Sequence, residues 1–104
     1  MSYQCISVAE AKELMDNNDV CVVDIRDQTS FRQGHIHGAL HLHNGNIGQF
    51  LADADFDKPL IVCCYHGHSS QGTAAYLVGQ GIEEVFSMDG GFEVWKTQFD
   101  VEIS

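Results

Sequence analysis

Cys64 ends the apolar run Leu60-Ile61-Val62-Cys63 and opens a short polar stretch, Tyr65-His66-Gly67-His68-Ser69-Ser70, ahead of a helical sequence that begins near Ser70. A thiol at the end of a buried strand and just before a helix lies among unpaired backbone N–H groups, where the helix dipole favours negative charge. That setting depresses a thiol pKa and makes the sulfur a nucleophile or an anion-holding group. Gly67 can turn the loop without a Cβ penalty. Ser69 and Ser70 are expected to cap the following helix and to offer hydroxyls. A ring of amides around Cys64 would stabilise a thiolate, a persulfide anion or a bound oxyanion. Cys64 is therefore the candidate catalytic residue, and Tyr65, His66, Gly67, His68, Ser69 and Ser70 form the candidate substrate-binding loop.

The surrounding residues exclude several other chemistries. Phosphate-handling thiolate loops carry an arginine six residues after the cysteine, which grips the anion bidentately. Here that residue is Ser70, and no arginine or lysine occurs from Tyr65 to Gly81. Phosphate and arsenate chemistry are not expected. Cys63 should face the opposite side of the strand from Cys64, and a disulfide between the two neighbours would be strained. His66 and His68 are candidates for orienting substrate or exchanging a proton, and Tyr65 for a wall of the loop. The histidines at 35, 37, 41, 43, 66 and 68 invite a metal reading, but they read better as loop residues and as flanks of a short strand. No metal and no cofactor is expected.

Elements that would position this loop can be read on either side of it. Ser7-Val8-Ala9-Glu10 is a capping box, and Val8, Ala11, Leu14 and Met15 follow it at helical spacing up to Asn17-Asn18-Asp19. Val20 to Ile25, broken only by Asp24, reads as a strand buried on both faces. Asp27 and Gly34 bracket a short helix. Ala39 to Leu42 is a short strand, and a further helix is expected over Asn46 to Asp53. Beyond Pro59 come the Leu60–Cys64 strand, the helix ending near Gly81 and the strand Val85–Met88. A last helix follows Asp89-Gly90-Gly91, with Phe92, Trp95 and Phe99 as its apolar stripe. Alternating strands and helices predict an α/β fold with a mostly parallel central sheet and helices on both faces. Ligands bind such sheets beyond the carboxyl ends of the strands, where Cys64 stands. Asp24 and Arg26, at another strand end, are expected to form a structural ion pair. The Asp89-Gly90-Gly91 turn is expected near the mouth of the site.

With 104 residues the chain is expected to be a single domain over 1–104. A net charge of −10, from 15 acidic and 5 basic residues, argues against nucleic acid as a partner. It also makes the long-range field unfavourable for small anions, so an anionic substrate must be attracted by local dipoles. No apolar run approaches the roughly 20 residues of a membrane span, so no membrane association is expected. The first residues lack a basic stretch followed by an apolar one, and a cytoplasmic location is expected. The spacing of Cys5, Cys21, Cys63 and Cys64 fits neither a disulfide framework nor a paired zinc motif. Free thiols are expected in a reducing compartment, with Cys21 a buried small hydrophobe.

These segments together resemble the rhodanese family of sulfurtransferases over nearly the whole chain. Val23-Asp24-Ile25-Arg26 resembles the family's Asp-x-Arg segment. Gly34-His35-Ile36-His37-Gly38-Ala39 is similar to its Gly-His-Ile-Pro-Gly-Ala segment, departing at His37. Cys64 to Ser69 matches the active loop in length, and Asp89-Gly90-Gly91-Phe92-Glu93-Val94-Trp95 resembles the closing Gly-Gly-x-x-x-Trp element. The resemblance implies a rhodanese-like fold and a ping-pong reaction. The Cys64 thiolate would take the sulfane sulfur of thiosulfate, release sulfite and pass the sulfur to cyanide, a small thiol or a thioredoxin-like dithiol protein. Many family members carry a cation in the loop; its absence here implies weak thiosulfate binding. Two other readings are a persulfide carrier that exchanges sulfur only with proteins and a non-catalytic binding module.

Overall fold

The computed structural model describes residues 2–103. In chain order its elements are β1 (Gln4–Ile6), α1 (Val8–Asn17), β2 (Cys21–Asp24), α2 (Gln28–Gln33), β3 (Leu40–His41), α3 (Ile47–Asp53), β4 (Leu60–Cys63), α4 (Ser69–Gly79), β5 (Val85–Met88) and α5 (Gly91–Gln98). The strands form one five-stranded sheet in the order β1-β5-β4-β2-β3, and every pairing is parallel. β4 occupies the centre, with Val62 in register with Val23 on one side and Ser87 on the other. All four of its residues are buried, as a parallel strand covered on both faces requires.

Strand alternation divides the core in two. Ile61, Cys63, Phe86 and Met88 face one side and pack with Val8, Ala11, Phe92 and Trp95 of α1 and α5. Leu60, Val62 and Val85 face the other and pack with Ala74 and Leu77 of α4, with Phe50 and Leu51 of α3 against them. The sheet is thus covered by helices on both faces.

The local signals act as their chemistry predicts in α1 and α2. Ser7 Oγ accepts the Glu10 N–H while the Glu10 carboxylate accepts the Ser7 N–H, and Asp27 accepts the Ser30 N–H. Two expectations change, and one strand is new. β1 pairs with β5, placing Cys5 opposite Ser87; a three-residue edge strand with one buried residue shows no readable alternation. The strand expected over Ala39–Leu42 is only Leu40–His41, because the N–H of Ala39 turns back to Ile36. Ser69 and Ser70 lie inside α4 and do not cap it; His68 holds the cap position, with no side-chain capping bond.

Candidate active site

Cys64 follows the last residue of β4, at the carboxyl edge in the middle of the sheet. Its sulfur receives the N–H of Gly67 at 3.1 Å and of Ser70 at 3.3 Å, and meets Ser70 Oγ at 3.2 Å. The side chain is 3 % exposed. Burial pushes the thiol pKa up, but the Ser70 hydroxyl and the amides of Ser70, Gly67 and His66 outweigh it and leave Cys64 below the ordinary thiol value. Cys63, one residue earlier, points into the α1/α5 side of the core. There burial pushes its thiol far up. Cys21 is also pushed up, by burial first. All four cysteines are free.

The loop's shape is imposed by α5 as much as by its own sequence. The N–H groups of Phe92 and Glu93, unpaired within the first turn of α5, donate to the carbonyls of Cys64 at 2.7 Å and Tyr65 at 3.1 Å. The loop carbonyls are held by α5, while its later amides serve the sulfur. Close approach makes two glycines necessary. A Cβ on Gly91 (φ +60°) would lie 2.5 Å from both those carbonyl oxygens, and one on Gly67 (φ +90°) 2.9 Å from the Gly90 nitrogen. The Asp89-Gly90-Gly91 turn does reach the site. From the α4 side, Gln71 Nε2 donates to the Gly67 carbonyl at 3.0 Å, and Tyr3 Oη donates to Gln71 Oε1 at 3.1 Å.

Tyr65 is 39 % exposed and is a wall of the loop. Its hydroxyl contacts Ser30 Oγ at 2.6 Å and donates to the Asp27 carboxylate. That hydrogen bond, followed by those from the Ser30 amide and hydroxyl, lowers the Asp27 pKa to about 2. The rings of His66 and His68 and the side chain of Ser69 are exposed around the same loop; the His66 amide adds to the groups that lower the Cys64 pKa.

Asp24 and Arg26 form the expected ion pair. Arg26 Nη2 lies 2.7 Å from Asp24 Oδ2, Nε lies 3.0 Å from Oδ1, and Nη2 also donates to the Gly34 carbonyl at 2.7 Å. Both side chains are buried, and the guanidinium stacks 3.9 Å from the Phe92 ring centroid. It ties β2 to the start of α5, beneath the loop.

The histidines outside the loop have local partners. His35 stacks on Phe31, with ring centroids 3.9 Å apart, and reaches Glu102 at 3.2 Å. His37 reaches the same carboxylate at 2.8 Å. His41 Nε2 donates to the Arg26 carbonyl at 2.6 Å, and His43 Nδ1 accepts the Gly45 N–H at 3.0 Å. Sequence reasoning missed Tyr3 and Gln71, which brace the Gly67 carbonyl, Asp27 and Ser30, which hold Tyr65, and one residue closer to the sulfur. Ser87 on β5 is fully buried, with its hydroxyl 2.7 Å from that of Ser70. Its signal was a lone hydroxyl inside the apolar run Val85-Phe86-Ser87-Met88.

Residues 7–98 match the family of rhodanese-like domains. The chain belongs to the rhodanese family. It is 48 % identical over 103 residues to a thiosulfate sulfurtransferase GlpE from Pseudoalteromonas translucida, covering 99 % of this chain and 98 % of that one. A crystal structure of a rhodanese-like domain protein from Staphylococcus aureus superposes with a TM-score of 0.81 at 25 % identity, covering 97 % of this chain and 98 % of the other. A rhodanese-like domain from Anabaena sp. shares the fold, with a TM-score of 0.86 at 19 % identity, over 100 % of this chain and 81 % of that one. The segments that carried the resemblance thus have definite structural tasks in this rhodanese fold. Asp24 and Arg26 pair beneath the loop, Gly90-Gly91 lets α5 close on it, and His37 binds Glu102 where the family pattern has proline.

Proposed function

We propose that the chain is a thiosulfate sulfurtransferase that carries sulfane sulfur on Cys64. The observation behind this reading is the convergence of the Gly67 and Ser70 amides and the Ser70 hydroxyl on one buried sulfur. Near-full-length identity to a relative named for that activity adds to it. The Cys64 thiolate attacks the outer sulfur of thiosulfate, the sulfur–sulfur bond of thiosulfate breaks, and its electron pair leaves with sulfite. The product is a Cys64 persulfide anion, with charge conserved across the step. An acceptor such as cyanide or a thiolate then attacks the outer persulfide sulfur, and Cys64 leaves again as a thiolate. Donors that hold the anionic sulfur serve both steps, and the covalent intermediate divides one transfer into two easier ones.

Tyr65, His66, Gly67, His68, Ser69 and Ser70 form the substrate-binding loop in this reading. It offers amides and hydroxyls but no arginine or lysine. Thiosulfate should therefore bind weakly, with a high KM. The exposed rings of Tyr65, His66 and His68 favour a dithiol protein of the thioredoxin type as a physiological acceptor, because its surface can reach the loop. The four unpaired cysteines suit a cytoplasmic setting. No described helix is long and apolar enough to cross a membrane. We assign the activity to one rhodanese unit spanning 1–104.

Intact mass of the protein after incubation with thiosulfate tests the proposal. Wild type should gain one sulfur atom, cyanide should remove it, and Cys64→Ser should gain none. Absence of a gain in wild type overturns thiosulfate as donor; a gain kept in Cys64→Ser overturns Cys64 as carrier.

A further inference from the structure

Ser87 and Ser70 are both fully buried, and their hydroxyl oxygens lie 2.7 Å apart, while Ser70 Oγ lies 3.2 Å from the Cys64 sulfur. Ser87 stands on β5 in register with Val62 of β4, on the face of the sheet that α4 covers. The three side chains therefore form a hydrogen-bonded line running from the core of the sheet to the reactive sulfur.

The proton count along this line decides what it does. A hydroxyl has one proton to give and lone pairs to accept with. Among the described residues, Ser70 Oγ is the one hydrogen-bond partner of the Ser87 hydroxyl. If Ser70 donates to Ser87, the Ser87 proton is left buried without an acceptor, which is costly. Ser70 can then only accept at Cys64, which suits a protonated thiol. If Ser87 donates to Ser70, both protons are used and the Ser70 proton is free for the sulfur, which suits a thiolate. Only the second direction satisfies every group.

We propose that Ser87 is a positioning residue for Cys64: its hydroxyl donates to Ser70 and so commits the Ser70 proton to the Cys64 sulfur. The proposal rests on the reading of Cys64 as the reactive thiol. It bears on both half-reactions, because Cys64 acts as an attacking thiolate in the first and leaves as one in the second. In neither does Ser87 touch substrate.

The test is the pH profile of Cys64 alkylation by iodoacetamide, followed by peptide mass in wild type, Ser87→Ala, Ser70→Ala and the double variant. Loss of one hydrogen bond to the donor should slow Ser87→Ala about three- to five-fold on the acid limb. At high pH the rate should be equal or slightly faster, since a more basic thiolate is intrinsically the better nucleophile. A purely structural loss would lower the rate at every pH instead. On the Ser70→Ala background, removing the Ser87 hydroxyl should change nothing further. Ser87→Cys, of similar shape but a weak donor, should behave as Ser87→Ala does and guards against a packing defect. An unchanged profile in Ser87→Ala, or an equal shift on the Ser70→Ala background, overturns the proposal. A wild-type Cys64 that titrates as an ordinary thiol would instead overturn the assignment of Cys64 itself.

Discussion

Donors at Cys64 must overcome burial, whereas at Asp27, a carboxylate beside the loop, donors act with little burial to oppose them. Asp27 caps α2 through the Ser30 amide and also accepts from Tyr65, so one exposed carboxylate fixes a helix start and a wall of the loop. Its pKa falls from the ordinary 3.8 to about 2, with the Tyr65 hydrogen bond the largest cause. A folded-state pKa below the unfolded one means that the ionised form stabilises the native protein. That contribution is complete above about pH 4 and disappears as the pH falls through about 2. Asp27→Asn lacks this titration. Urea midpoints of wild type should therefore fall more steeply than those of Asp27→Asn between these two pH values. Parallel curves would show that the Tyr65 and Ser30 contacts do not hold the carboxylate. Cys64 could be selected from sequence because its position after an apolar strand and before a helix fixes its surroundings. Ser87 could not, since its role depends on which face of β5 meets α4.

Among the elements, α5 constrains the loop most directly. Helix starts normally leave amides unpaired, and here those of Phe92 and Glu93 are satisfied by the carbonyls of Cys64 and Tyr65. Such an approach tolerates no side chain at Gly91, where a Cβ would stand 2.5 Å from both carbonyl oxygens, at φ +60°. Gly91→Ala must either displace the loop or tilt the helix. We expect it to lose about 2–4 kcal/mol of stability, combining backbone strain with a clash that neither side can relieve. Persulfide formation should fall by at least about ten-fold in the fraction that remains folded, because misplaced amides no longer stabilise the sulfur. Denaturant titration and the intact-mass assay measure the two effects separately; a variant with native stability and persulfide yield would refute the close packing. The sequence suggested a turn near the mouth, since paired glycines mark tight backbone. It carried no sign that α5 would hydrogen-bond the loop, because that contact joins residues some way apart in the chain through backbone atoms alone. The main helices and the central strands were legible for the opposite reason: caps and apolar periods are local. β1 was not, being too short to show a period.

Over the whole molecule, a loop that stabilises anionic sulfur sits on a chain of net charge −10. Short-range attraction from amides and long-range repulsion from the acidic surface therefore oppose each other as a thiosulfate dianion approaches. They respond differently to salt. The Debye length is about 10 Å at 0.1 M salt and about 30 Å at 0.01 M. Added salt thus screens the distant carboxylates strongly while leaving hydrogen bonds at about 3 Å from the sulfur almost untouched. The second-order rate of persulfide formation should accordingly rise, by roughly two- to five-fold, between 10 and 150 mM sodium chloride. Alkylation of Cys64 by neutral iodoacetamide, which feels no long-range field, should stay nearly constant over the same range. That control separates screening of the substrate's approach from any change in the thiolate itself. A rate with thiosulfate that falls with salt would mean that the potential at the mouth is positive despite the net charge. The loop amides and the start of α4 would then govern encounter as well as chemistry. A rise confined to thiosulfate would instead mean that the acidic surface limits this donor, and it would favour acceptors or donors delivered by a protein whose own charge can match that surface.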